Sequence, residues 1–167
     1  KQSCYCHDFE NDGELQSRSA QLGVGSQLSK EFDIGLSREE IAKQQKQDPE
    51  LRVLYEVLEQ GKERPSWEDI ALQPGKAKVL WGQWPRLSLK EKVMCRRWEA
   101  AVGDEVRWQV VIPSALRKTF ISQVHGGVTG GHLGRSKTEE QVIRRAFWPG
   151  WKRDVAQTLK ECIPCTQ

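Results

Sequence analysis

His125 and His132, followed by Cys162 and Cys165, constrain this chain more than any other feature, because their spacing lets four side chains close on one ion. Six residues separate the histidines, 29 lie between the two pairs, and Cys162-Ile163-Pro164-Cys165 sets two thiols on one tight turn. Two imidazoles and two thiolates fill a tetrahedral shell around zinc, the closed structural kind that leaves no position for an activated water. A metal held this way ties the end of one helix to the end of another, so a very small core suffices. The third histidine, His7, lies beside Cys4 and Cys6. Only one residue separates that cysteine pair and no fourth ligand is near, so the segment reads as linker with incidental cysteines. Five cysteines is an odd number with Cys95 isolated, which argues against a disulfide framework and for a reducing compartment.

At 167 residues with 37% hydrophobic content the chain holds one ordinary domain or two small ones with modest cores. No apolar run approaches the ~20 residues of a membrane span, and no basic-then-apolar N-terminal signal is present. The expectation is a soluble, intracellular protein without a small-molecule substrate. A first residue of Lys1 rather than methionine is what a piece of a longer protein would give. Net charge is +3, yet residues 113–167 carry nine Lys and Arg against four Asp and Glu, so that part holds +5 and the remainder −2. A locally basic zinc module suggests a polyanionic partner.

The predicted fold class is α+β: a small three-stranded antiparallel meander with flanking helices, followed by a zinc-bound three-helix domain. Residues 1–36 lack periodicity and read as a flexible linker. In 37–62, a helical segment, Ser37 caps a first helix with Glu40 reaching back, and Asp48-Pro49 opens a second. The second carries Leu51, Leu54, Tyr55 and Leu58 on one face until Gly61. Residues 63–113 begin with short helices at 66–70 and 76–84, where Trp67, Trp81 and Trp84 at helical spacing are expected in the core. Alternating stretches at 86–89, 93–98 and 106–112 then predict the meander, with turns at Glu91 and at Gly103-Asp104.

In 114–167 a helix after Pro113-Ser114 presents Leu116, Phe120, Ile121 and Val124 and ends at His125. A glycine-rich loop over 126–131 returns the chain to His132. Ser136 with Glu139 forms a capping box for a helix to about Phe147, which Trp148-Pro149 breaks. The last helix sets Trp151, Val155 and Leu159 on the face that leads to Cys162.

The text of residues 123–167 resembles the zinc-binding N-terminal domain of gypsy-class retrotransposon and retroviral integrases. Gly131-His132-Leu133-Gly134, Lys137-Thr138, Phe147-Trp148-Pro149, Asp154-Val155 and Cys162-x-x-Cys165 stand in that family's order and spacing. Gly126 replaces the family's usual acidic or polar residue after the first histidine, at a position that is not a ligand. The preceding region resembles the extension domain of spumavirus and gammaretrovirus integrases, with Glu91-Lys92 where relatives typically have Asp-Gly; that departure predicts a looser turn. Gypsy-class polyproteins also carry a Cys-containing stretch before integrase, which places the first 36 residues.

The resemblance implies a non-catalytic module that binds DNA ends and helps integrase protomers assemble, inside a parent polyprotein with integrase, reverse transcriptase and RNase H activities that acts in the nucleus during integration. The family's catalytic carboxylates follow the Cys pair, and Asp104, Glu105 and Asp154 form no triad in their place. Arg135, Lys137, Arg144, Arg145, Lys152 and Arg153 are the candidate nucleic-acid contacts, directed at phosphates rather than bases. The alternative is a host-domesticated descendant that uses the same zinc domain for protein or nucleic-acid contacts.

Overall fold

In the computed structural model, residues 35–103, 105–127 and 131–166 are described. The linker except for its last two residues, with Cys4, Cys6 and His7, lies outside them, as do Asp104 of the second turn and residues 128–130 of the glycine loop. The architecture is α+β. Helices α1 (Arg38–Gln47), α2 (Arg52–Glu59), α3 (Trp67–Ile70) and α4 (Gly75–Trp81) precede strands β1 (Leu87–Lys90), β2 (Val93–Glu99) and β3 (Val106–Val111). Helices α5 (Arg117–Gly126) and α6 (Arg135–Arg145), strand β4 (Ala146–Phe147), and helices α7 (Trp151–Lys160) and α8 (Ile163–Thr166) complete the chain.

The meander forms, with Lys90 opposite Val93 and Cys95 opposite Val110, but the sheet has a fourth strand that the sequence reading did not anticipate. β4 pairs parallel to β3, Val110 with Ala146 and Val111 with Phe147. The α6 helix therefore stops at Arg145 rather than near Phe147, because the next two residues give their backbone to the sheet. Strand alternation then sends Val93, Cys95, Val110 and Ala146 to one face, packed with Ile41, Phe120, Ile121, Val142, Trp148 and Val155. Leu87, Met94 and Val111 go to the other face, with Leu51, Leu54, Tyr55, Ile70 and Leu80. One face thus holds α1 and the C-terminal helices, and the opposite face holds α2 to α4.

Long-range polar contacts fix α1 and α2 against the sheet. The side chain of Gln45, fully buried, accepts from Met94 N (2.7 Å) and donates to the carbonyls of Met94 (3.0 Å) and Val111 (2.7 Å). Asp48 closes the turn before α2 by accepting from Glu50 N (2.7 Å), rather than capping the helix, whose N-cap is Leu51, and its second oxygen accepts from the Ser114 amide. Arg117, only 5% exposed, pairs with Glu50 at 2.6 Å and donates to the Ile112 carbonyl.

Three local expectations need correction. Ser37 accepts from Glu40 N at 3.1 Å, but the Glu40 carboxylate takes Gln44 Nε2 (2.7 Å) instead of reaching back, so the box is half formed. The cap of α6 is Gly134 with no side-chain bond, and Ser136 lies inside the helix; Arg135 pairs with Glu139 at 2.8 Å and removes the reciprocal partner. Trp67 is 52% exposed rather than core, lying against Trp81 with ring centroids 5.6 Å apart, while Trp81 and Trp84 pack on the second cluster.

The Glu91-Lys92 turn is tight, with both residues at positive φ (48° and 65°) in a two-residue hairpin. Two contacts hold it there: Arg38 pairs with the Glu91 carboxylate, and Tyr55 Oη donates to the Lys92 carbonyl at 2.5 Å. A Cβ in this region costs ~1–2 kcal/mol, partly offset in any glycine variant by a more flexible unfolded chain. Lys92→Gly is therefore expected to raise unfolding stability by about 0.5–1 kcal/mol; a lower urea midpoint would show that the left-handed conformation costs lysine nothing here.

Candidate metal centre

His125 is carried to the cluster by the apolar face of α5. Phe120, Ile121 and Val124 are buried in the first core, and His125, one residue further on, is 5% exposed. The helix ends at Gly127, whose φ of 59° suits glycine and where a Cβ would stand 3.2 Å from the Gly131 carbonyl. The chain then folds back so that Leu133 N donates to the His125 carbonyl at 2.8 Å, which sets His132 beside the end of α5. Thr138 Oγ1 donates to the carbonyls of Leu133 (3.2 Å) and Gly134 (3.1 Å), fixing this return on α6.

The cysteines arrive from the other side. Trp148 is fully buried, its indole N–H donates to Asp154 at 2.8 Å, and Gly150 at φ 86° turns the chain into α7. Val155 packs in the core with Trp151 and Leu159 against it. A bond from Cys162 N to the Leu159 carbonyl (3.2 Å) and one from Cys165 N to the Cys162 carbonyl (3.1 Å) then curl the Cys pair back. Lys118 Nζ, 2.7 Å from Glu161, pins the end of α7 to the start of α5.

The four side chains converge as their spacing predicted. One ligand atom from each of His125, His132, Cys162 and Cys165 lies within 4.8 Å of all the others. His125 Nε2 is 2.9 Å from His132 Nδ1 and 3.3 Å from each sulfur, and Cys162 Sγ is 3.3 Å from His132 Nδ1. Zinc–nitrogen and zinc–sulfur bonds of ~2.0–2.3 Å at tetrahedral angles imply ligand separations of about 3.3–3.8 Å. These four separations, 2.9–3.3 Å, lie at or just under the lower end of that range, and the whole set stays within 4.8 Å.

Proton bookkeeping favours the same ion. His125 Nδ1 is 2.8 Å from the Leu133 carbonyl, and a carbonyl only accepts, so Nδ1 carries the hydrogen and Nε2 turns a lone pair to the cluster. A carbonyl bond of this kind fixes tautomer and ring orientation in metal-ligating histidines. Desolvation, then a hydrogen bond and repulsion from Cys162, push the Cys165 thiol above its ordinary value. A divalent cation opposes that direction, because the ligating form is the thiolate. The donor set fits structural zinc, and the shell is filled by protein.

The six basic residues do not form one patch. On α6, Lys137 and Arg144 are exposed and seven positions apart, within about 20° on the helix, while Arg135 is roughly 160° from Lys137. Arg135 is held by Glu139, and Arg145 donates to Gln141 at 3.2 Å. At the start of α7, Lys152 sits 5.5 Å from the Trp151 ring centre and Arg153 is exposed, 3.7 Å from Asp154. Lys137, Arg144, Lys152 and Arg153 are thus the four that project freely into solvent or nearly so. Arg117, the most deeply buried cation among the described residues, carries no mark in the sequence because its partner lies 67 residues away.

No curated protein and no solved structure matches this chain. The family model of the integrase zinc binding domain matches residues 112–167, a span that starts at the end of β3 and takes in both histidines and both cysteines. In both sequence and ligand geometry, residues 112–167, about a third of the chain, are thus similar to the integrase zinc binding domain.

Proposed function

We propose that the chain is a non-catalytic module of a gypsy-type retrotransposon integrase that holds one structural zinc through His125, His132, Cys162 and Cys165, binds DNA ends and supports assembly of the integrase multimer. The observation that carries this reading is the convergence of four ligand atoms inside a segment that matches the integrase zinc binding domain. Zinc supplies a cross-link between helix ends and no reaction, since two imidazoles and two thiolates complete its coordination. His125 and His132 hold the end of α5, and Cys162 and Cys165 hold the end of α7. That clamp fixes α6, where Lys137 and Arg144 face solvent, relative to Lys152 and Arg153 at the opening of α7.

Four projecting cations without paired base-reading side chains suit phosphates. Duplex DNA is therefore expected to bind with little sequence preference. If four phosphates are engaged, affinity should fall on the order of 100-fold between 50 and 200 mM salt. Replacing Lys137, Arg144, Lys152 and Arg153 together with glutamine should weaken binding and flatten that salt slope while zinc content, measured by metal analysis, stays at one per chain. Unchanged affinity in the quadruple variant would remove these helices from the DNA interface. Multimer assembly is tested by adding the zinc-loaded chain to an integrase catalytic core that lacks its N-terminal region; failure to restore higher-order complexes on DNA counts against the assembly role.

A further inference from the structure

A second basic site lies on the sheet, on the face that carries Leu87 and Met94, and outside residues 112–167. Arg96 on β2 and Arg86, just before β1, are neighbours because Leu87 pairs with Arg96. Both guanidiniums are positive, and among the described residues neither forms an ion pair with a carboxylate. Among the described residues Arg38, Arg97, Arg107, Arg117, Arg135 and Arg153 each have a carboxylate, whereas Arg52, Arg64, Arg144 and Arg145 do not, so the lack of one at Arg96 gains its meaning from how that side chain is held.

Arg96 is held in place by neutral groups. Its Nε donates to Gln83 Oε1 (2.5 Å), Nη1 donates to Gln109 Oε1 (2.6 Å), and the guanidinium lies 4.2 Å over the Phe147 ring. Burial and the nearby charge of Arg86 both disfavour its cationic form. A planar fork fixed on three sides, half-buried and next to a like charge, is a costly arrangement unless an anion completes it.

The same face continues toward the hairpin tip. Register places Trp98 opposite Arg107, on the side of the sheet that carries Arg96, and the Arg107 guanidinium lies 4.0 Å over the Trp98 ring. Arg107 has a partner in Glu105 at 3.0 Å, but its Nε is buried without a hydrogen-bond partner. In the other direction Gln109, which positions Arg96, also donates to the Ile143 carbonyl in the last turn of α6, immediately before Arg144. The arginine pair therefore lies between an aromatic-faced hairpin and the basic end of α6.

We propose that Arg86 and Arg96 together bind a phosphodiester group of a nucleic acid, extending the DNA-contacting surface from α6 onto the sheet. Forked guanidiniums match phosphate oxygens bidentately, and two of them supply charge compensation that one surface lysine does not. This inference rests on the nucleic-acid reading above but assigns residues outside residues 112–167.

The test uses the full zinc-loaded chain and a 30-base-pair duplex, with affinity measured across a salt series. Arg86→Gln changes an exposed side chain, and Arg96→Gln is run beside it with near-UV circular dichroism to confirm folding. Either variant is expected to lower affinity several-fold at 50 mM salt and to reduce the slope of log affinity against log salt by about 0.9 per lost phosphate contact. The Lys137/Arg144/Lys152/Arg153 glutamine variant provides the second arm. If Arg86→Gln retains parental affinity and slope while the helix variant loses both, the sheet site is wrong and the DNA reading stands. If all variants bind like the parent, both are wrong. Inorganic phosphate that protects or shifts Arg96 resonances without competing against the duplex would likewise overturn the sheet site, leaving a small-anion pocket.

Discussion

Cys162→Ser is expected to strip the zinc and unfold residues 112–167, giving a loss of helical ellipticity and of the cooperative melting transition. Structural zinc in finger-sized peptides contributes an apparent ~10–16 kcal/mol at neutral pH, while whole domains are stable by only ~5–15 kcal/mol. No margin remains once one of four ligands loses its thiolate. The loss should not stop at the metal. Val142, Trp148 and Val155 share one apolar cluster with Ile41, Val93 and Cys95, so loosening α6 and α7 uncovers α1 and one face of the sheet. Excess chelator should reproduce the effect in the parent protein, and Cys4→Ser should not. A Cys162→Ser protein that keeps both its melting midpoint and stoichiometric zinc would refute the ligand assignment.

Glu50→Ala is expected to be the most damaging single change away from the zinc. It leaves the Arg117 guanidinium, 5% exposed, without its carboxylate. Removing one partner of a buried pair costs about 3–5 kcal/mol, mostly because the other charge stays buried and uncompensated. Lys76, 3.2 Å from the other Glu50 oxygen, loses its partner too, but it is better solvated and adds little. Replacing both members, Arg117→Met with Glu50→Leu, should recover much of the loss, since the desolvation penalty disappears with the charges. Urea unfolding of the zinc-loaded single and double variants measures this directly. A change below about 1 kcal/mol for Glu50→Ala would mean that water reaches Arg117 and that the pair is not a buried one.

The contrast between these two sites explains what could be read from the residues alone. Metal ligands come in a small set of types at short spacings, so His125, His132, Cys162 and Cys165 announce themselves without any knowledge of packing. Strand alternation and the Asp48-Pro49 turn into α2 are likewise local. Glu50 and Arg117 carry no such signal: either alone is an ordinary surface charge, and only the fold brings the turn before α2 to the start of α5. Strand β4 was hidden for a related reason, because two residues have no period and Ala146-Phe147 continues the apolar pattern of α6. The cap of α6 went the other way. A Ser-x-x-Glu pattern was present at Ser136, but Arg135 competes for Glu139 and both the cap and the helix start lie two residues earlier, at Gly134 and Arg135. Trp67 was misplaced because helical spacing identifies a face, and not whether anything lies against it.

Gln45 gives the N-terminal helix a role in deciding where the sheet ends. Its amide occupies the place beyond the Cys95–Val110 pair where β2 and β3 would next have bonded to one another, taking up Met94 N and the Met94 and Val111 carbonyls. β4 lies along the other edge of β3, so β3 has strands on both sides at Val110 and β4 alone at Val111. A glutamine side chain thus stands in for a peptide unit between β2 and β3, supplied from 49 residues before Met94 and 66 before Val111. Removing α1 would leave the Met94 amide and the Met94 and Val111 carbonyls without this partner, so the seam from which β3 runs on into the zinc-bearing segment is closed by a helix that lies outside residues 112–167.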